Sequence, residues 1–479
     1  MNIVALVVPQ LLALVAGSFA VWWAMRGTPA RWLGVLGYGY VFGLVLGAAS
    51  LYISARLGFG VRFAPAAGIQ IGLAIAFAAI VRRFTRDSAA DPIAISPVPL
   101  RNIATFVVVA LIAILVVRAA SLGVEALTRP LYPWDAWQQW GTKARVWFET
   151  RELRPFVSSA DWLRESVGTK TGVYTDANPA YPPLVPLLQV WTLGLATEWN
   201  DAVLGATWLG LYCALGLAFA WQLYRVLPSW LFAVSASYAL LSLPFLDTHV
   251  ALAGYGDLPL SVLYCFAFMS AIGWERFRRN GDAAMAVAFI AVLPFFKRPG
   301  IAWALTFLPF LTLALPPARR GLFVRILVIG AAILGAGLIV RHLGQIPLAD
   351  AARSIWSVAL NLFAWENWHL LWYVAVFVIV LYARRPLAQA LPSAAATLAL
   401  GAVFLATVFW GTELSASIAN VTTLNRALLP LACAVCYFVA LVVMPDVRKL
   451  LSVPSVSERF QQDEPASVRS AQAPASPHG

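Results

Sequence analysis

The chain of 479 residues is 61% hydrophobic and only 12% charged, with a mean hydropathy of +0.77. Soluble domains carry roughly a quarter charged residues, so a soluble globular protein is excluded. The formal charge of +12 comes from 34 basic and 22 acidic residues, and only four of the basic ones are Lys. Basic residues collect at the cytoplasmic ends of membrane spans, so insertion accounts for the charge and nothing calls for a nucleic-acid partner.

Apolar runs of about 20 residues, enough to cross ~30 Å of hydrocarbon, recur along most of the chain. They predict an all-α polytopic membrane protein with about thirteen spans. The first seven lie near 4–24, 32–54, 66–81, 102–123, 203–224, 229–246 and 257–274. The other six lie near 283–296, 300–315, 321–340, 368–383, 392–410 and 426–443. The runs are continuous, without a two-residue alternation, which excludes a transmembrane β-barrel. The first run has no basic segment before it and reads as a span, not a cleaved signal peptide. Cys213, Cys265, Cys433 and Cys436 all fall inside apolar runs. The C-x-x-C pair at 433 and 436 has no second cluster of ligands, so it reads as packing. The Arg-over-Lys bias suggests a GC-rich bacterial source, hence an inner-membrane location.

Arg82, Arg83, Arg86 and Arg101 form the first strongly basic connection, followed by Arg276, Arg278 and Arg279, then Arg319 and Arg320, then Arg384 and Arg385. All are assigned to the cytoplasm. The number of crossings between two cytoplasmic loops must be even, so one apolar run between the first two is surplus. We read that run, Pro183 to Trp199, as a helix lying at or dipping into the outer leaflet, opened by Pro182 and Pro183. The N-terminus is then outside, the C-terminus inside, and residues 123–182 face the exterior. The tail from Pro445 is rich in Ser, Pro, Gln and Ala and reads as disordered.

Acidic residues avoid the middle of every predicted span and fall mostly on the outer side. Ion-coupled transporters need ionisable residues near the midplane and paired broken helices, and the sequence displays neither. Residues 132–148 follow the fourth span and carry Trp137, Trp140, Ala144 and Trp147 on one helical face, with Gln138, Thr142 and Arg145 on the other. Asp135 heads this segment. One reading makes it an N-cap, with Gln138 completing a capping box. The other makes it a general base at the membrane surface, with Trp134 and Trp137 available to stack on sugar faces.

Asp257, in Gly254-Tyr255-Gly256-Asp257, stands at the outer start of a span, as a helix cap or as a functional carboxylate. His249 and Asp247 share its loop. Lys297 and Arg298 occupy the outer turn between two short spans, where charges suggest a water-filled cavity. Arg341, His342 and Arg426 are further outer cations, with snorkelling to lipid head groups as the alternative for each Arg. Trp365, Glu366, Trp368 and His369 form a later outer group, read as an aromatic interfacial belt or as contacts for an acceptor sugar.

Asp135, Tyr181-Pro182-Pro183-Leu184, Asp257 and Lys297, in this order and on one side, resemble the motifs of the GT-C superfamily of membrane glycosyltransferases. That superfamily includes protein mannosyltransferases, aminoarabinose transferases and the catalytic subunit of oligosaccharyltransferase. The resemblance spans residues 102–340 as the catalytic module, with an external loop at 124–182 and the surface helix at 183–199. Residues 1–101 are extra N-terminal spans, 341–444 variable C-terminal spans, and 445–479 the cytoplasmic tail. Where many bacterial members have an acidic or amide residue after the Lys, this chain has Arg298.

The resemblance implies an inverting transfer of sugar from a polyprenyl-phosphate-linked donor to a glycan, glycolipid or protein acceptor on the extracytoplasmic face. Asp135 would be the general base, and Asp257 would assist a divalent cation or orient acceptor hydroxyls. Lys297 would bind the donor phosphate first, followed by Arg298, Arg341 and Arg426. Trp134, Trp137, Tyr181, His249 and Tyr255 would line the substrate site, and a divalent cation, magnesium or manganese, would sit on Asp135 and Asp257 if present. Two readings from other classes stand beside it: a transporter or flippase of lipid-linked sugars, and a non-catalytic envelope assembly protein.

Overall fold

A computed structural model describes residues 3–86, 102–164, 172–314, 317–344, 348–382, 392–419 and 421–451. The chain opens with α1 (Ile3–Val21), α2 (Arg31–Arg56), α3 (Phe63–Phe84) and α4 (Asn102–Thr128). The next segment holds a π-helical turn (Ala136–Gly141), α5 (Thr142–Thr150), α6 (Ser159–Arg164) and α7 (Leu184–Thr192). Within it β1 (Phe156–Val157) and β2 (Tyr174–Thr175) form a parallel ribbon, Phe156 opposite Tyr174 and Val157 opposite Thr175. Then come α8 (Gly205–Val226), α9 (Trp230–Leu241), α10 (Pro244–Ala251), α11 (Asp257–Phe277) and α12 (Asn280–Val292). The short α13 (Gly300–Leu305) and α14 (Leu308–Leu311) precede α15 (Pro317–Leu343) and α16 (Leu348–Phe363). α17 (Leu371–Tyr382), α18 (Pro392–Trp410) and α19 (Val421–Leu450) complete the fold.

Among the described residues nine helices are long and apolar enough to cross a membrane, and α9 with α10, bent by 64° at their junction, make a tenth if the pair is one span. These are the marks of an all-α integral membrane protein. The other three apolar stretches, Asn280–Phe295, Gly300–Leu311 and Leu371–Tyr382, are shorter. At 1.5 Å per residue their described parts reach only about 24, 18 and 18 Å, short of ~30 Å of hydrocarbon. The thirteen expected runs therefore divide into full-length spans, one bent pair and three short helices. Pro294, Pro299 and Pro309 explain much of the shortening, since each removes a helical N–H.

α11 is buried along nearly its whole length, whereas the strongly apolar stretches of α4 and α15 have almost no buried surface within the protein. α11 is thus the axis of the bundle, and α4 and α15 face the lipid. α1 and α2 cross in backbone contact: a Cβ on Gly17 would lie 1.9 Å from the Gly39 carbonyl oxygen, and one on Gly43 1.8 Å from that of Ala13. Small residues at such crossings allow close packing of spans.

Two expectations change. The helix read at 183–199 is α7, only nine residues long and buried at every position. It is too short to cross, in line with the parity argument, shorter than the 183–199 run, and packed within the protein. Trp191 anchors it, donating to the Pro9 carbonyl at 3.2 Å and packing against Phe63. Second, α19 continues through Pro445 to Leu450, so the tail does not begin at 445. Its remainder, together with Arg101, Arg384 and Arg385, lies outside the described residues.

The two ends of the bundle differ in chemistry. At one end Arg225 of α8 grips Asp282 of α12 with two bonds, 2.9 and 2.8 Å long, and also donates to Gln222 at 3.0 Å. Arg279 donates to the Arg26 carbonyl at 2.5 Å, and Asn280 to that of Phe84 at 2.8 Å. This Arg-rich end is the one that the charge pattern assigns to the cytoplasm. At the other end the last turn of α4, residues 131–164 and 172–183, and the starts of α11 and α19 converge.

Candidate active site

Asp257 is the first residue of α11, after the N-cap Gly256, and its carboxylate is turned to two cations. Its Oδ1 accepts from Lys297 Nζ at 2.6 Å and its Oδ2 from Arg426 Nε at 2.8 Å. The same guanidinium donates through Nη2 to Asp135 Oδ2 at 2.5 Å, across 291 residues of sequence. One arginine thus links the two carboxylates. The Asp257 side chain is 5% exposed, Lys297 13%, Arg426 14% and Asp135 34%, so Asp257 forms the floor and Asp135 the accessible side. Two negative and two positive charges cancel. Such charge-assisted bonds are about twice as strong as neutral ones, and the burial of Asp257 requires them.

Local sequence explains how Asp135 reaches this position. The amides of Ala136 and Trp137 both donate to the Pro133 carbonyl, and the chain then winds as a π-helical turn before α5. Such turns are rare and frequent at functional sites. Asp135 makes no capping hydrogen bond; its carboxylate is turned to Arg426, which overturns the capping-box reading. The π-turn also shifts the helical register. Trp140, Ala144 and Trp147 are buried as the pattern predicts, but Trp137 points outward and meets Trp134 edge to face at 5.6 Å.

Gly254 brings the Asp257 loop against this turn. Its φ of +100° lies in the left-handed region that favours glycine, and a Cβ there would sit 2.8 Å from that of Ala136. Trp208 donates to the Tyr255 carbonyl at 3.0 Å and holds the loop from below. The Tyr255 ring lies 4.2 Å from the Arg426 guanidinium, a cation–π contact. Arg426 is fixed from behind through its neighbour Asn425, whose Oδ1 accepts from Asn361 of α16 at 2.7 Å and from Trp368 at 3.0 Å. Lys297 projects from the turn before α13, closed by the Gly300 amide donating to its carbonyl at 2.8 Å.

The Tyr181 ring packs edge-on against Trp140 at 5.2 Å and lies 5.6 Å from the Arg298 guanidinium. Burial, with Asp257 and Asp135 nearby, pushes its hydroxyl up, so it stays protonated and can donate. Burial likewise raises Tyr255. Behind Tyr181, Lys143 and Asp176 form a buried ion pair, and Lys143 also donates to the Asn178 carbonyl at 3.0 Å. Burial pulls the Lys143 ammonium down, and Asp176 opposes this.

The structure therefore brings Asp135, Asp257, Lys297, Arg426 and Tyr255 into one cluster, with Tyr181 and Arg298 beside it. His249 is buried between the rings of Phe245 and Tyr255, at 4.5 and 5.6 Å, with Nδ1 3.0 Å from the Phe245 carbonyl oxygen and Nε2 unbonded. Trp134 and Trp137 stand at the exposed rim. Asp247 pairs instead with Arg118 of α4. Arg341 is exposed and has no hydrogen bond or ion pair among the described residues. Trp368 is fully buried, so a belt position does not describe it. Sequence reasoning missed Asn361, Asn425 and the Lys143–Asp176 pair; Asn425, next to Arg426, was the one local hint.

The two carboxylates do not fit a divalent cation. Both Asp257 oxygens are taken by cations, a guanidinium lies between the carboxylates, and among the described residues no group of three or more His, Cys, Asp or Glu is placed to hold a metal. No protein-family model, curated protein or solved structure matches this chain.

Proposed function

We propose that this protein is a GT-C-type membrane glycosyltransferase, with thirteen membrane segments when the bent pair and the three short helices are counted. It transfers sugar from a polyprenyl-phosphate donor to an acceptor hydroxyl on the extracytoplasmic face of a bacterial inner membrane. The observation that carries the reading is the junction of two carboxylates with Lys297 and Arg426 at the end of the bundle opposite the Arg-rich end. An acid–base transfer from a phosphate leaving group needs a base and a fixed positive charge in one place.

In this reading Asp135 Oδ1, which makes no bond among the described residues, accepts the proton of the acceptor hydroxyl. The hydroxyl oxygen attacks the anomeric carbon from the face opposite the phosphate. The new glycosidic bond forms as the bond from carbon to phosphate oxygen breaks, and the phosphate leaves with the electron pair. Arg426 Nη1 and the remaining Lys297 hydrogens, bonded to no group among the described residues, receive its charge. The donor phosphate need displace neither cation from Asp257. Tyr181 and Tyr255 offer hydroxyls to the sugar.

Asp135→Asn tests the reading. The Asn carbonyl still accepts from Arg426, but it is not a base. Purified protein in nanodiscs, given lipid-linked sugars and extracted acceptor, should lose about 10²–10⁴-fold in transfer rate at unchanged yield. An unchanged rate would falsify the base assignment, and sugar that crosses a membrane while still on its lipid would favour a flippase.

A further inference from the structure

We infer that Arg426 is the resident cation of this site, holding the place between Asp135 and Asp257 that a bridging divalent metal would take, so that the carboxylate pair works without metal. Only the activity arm of the test rests on the transfer reading. Magnesium requires carboxylate oxygens at about 2.0–2.1 Å in near-octahedral geometry. Here Asp257 spends Oδ1 on Lys297 and Oδ2 on Arg426, and Asp135 spends Oδ2 on Arg426. A metal ion would have to break these charge-assisted bonds and come to rest beside two displaced cations.

Arg426 is not a surface arginine that has swung into a gap. Its side chain is 14% exposed, the Tyr255 ring lies against it at 4.2 Å, and the preceding Asn425 is bonded by Asn361 and Trp368 from two other elements. A guanidinium is planar, permanently charged and rich in donors. It can therefore do two of the tasks a metal does at a carboxylate pair, orienting the carboxylates and offering charge to a leaving oxygen. Nε and Nη2 perform the first. Nη1, free of partners among the described residues, performs the second.

The test is a manganese titration of the purified full-length protein, with free Mn²⁺ followed by electron paramagnetic resonance. The unmodified protein should bind no Mn²⁺ at this pair. Arg426→Ala should bind one, and the double variant R426A/D257N should lose it again. In the activity arm, EDTA should leave the transfer rate unchanged. Binding of Mn²⁺ by the unmodified protein that Asp257→Asn abolishes would overturn the inference, as would transfer abolished by EDTA and restored by manganese. If no transfer is seen at all, the enzyme reading fails while the titration still decides the role of Arg426. Should R426A not accumulate, the titration of the unmodified protein decides alone.

Discussion

Asp257→Asn separates a residue that positions cations from one that touches substrate. Asp257 is 5% exposed and holds two cations; among the described residues Lys297 has no other acceptor, while Arg426 keeps Asp135. Breaking a buried ion pair by removing one partner costs about 3–5 kcal/mol. The Asn carbonyl retains one of the two bonds, which places the expected loss near the lower figure, about 3 kcal/mol. The charge of the cluster also changes, from zero to +1. At an effective dielectric of ~20, a unit charge about 5 Å from the donor phosphate contributes roughly 3 kcal/mol before screening. A third of that still tightens donor binding about fivefold. The variant should therefore lose its monodisperse peak at a lower temperature and show a reduced kcat, with a donor KM that is unchanged or lower. The reduced kcat follows because Lys297 and Arg426 no longer share an anchor and hold the leaving phosphate less well. Steady-state kinetics over a range of donor concentration reads both constants. A raised donor KM with kcat intact would refute the argument and make Asp257 a substrate contact.

Gly254→Ala should cost more than about 1 kcal/mol, from its positive φ alone, and the new Cβ would also meet Ala136 at 2.8 Å. Transfer should fall although every charged residue remains; full activity in this variant would show that the closeness of the two loops is irrelevant. Asp282→Ala, at the opposite end, removes the bidentate partner of the buried Arg225 and should cost about 3–5 kcal/mol of stability. Its yield should drop while transfer per folded molecule stays constant, and a selective loss of rate would contradict that separation. Cysteine probes at Asp161, Glu198 and Asp201 should all label from outside, in keeping with an α7 that does not cross. Labelling of position 201 only from the cytoplasm, with position 161 labelled from outside, would mean that α7 crosses and would overturn the parity argument.

What the sequence determined by itself is what depends on local composition and spacing. Membrane insertion follows from apolar runs against a fixed hydrocarbon thickness, and sidedness is argued from where Arg clusters. The short length of α7 agrees with a parity count that needs no coordinates. Asp135, Asp257 and Lys297 stood out because acidic and Lys side chains are rare here and sit at the ends of apolar runs. Tertiary structure alone decided what those residues do to one another. The capping-box pattern at Asp135 was sound locally, yet Arg426, 291 residues away, takes the carboxylate. A charged guanidinium offers a carboxylate more than a neutral backbone amide does. A single π-turn turned Trp137 out of the face that the 3.6-residue period gave it, and prolines split runs that hydropathy joined. Arg341 and Arg426 look alike as outer cations in sequence. Only the packing of α19 against α11 and α16 separates them, because burial beside a carboxylate is a property of the folded neighbourhood and leaves no mark on the residue itself.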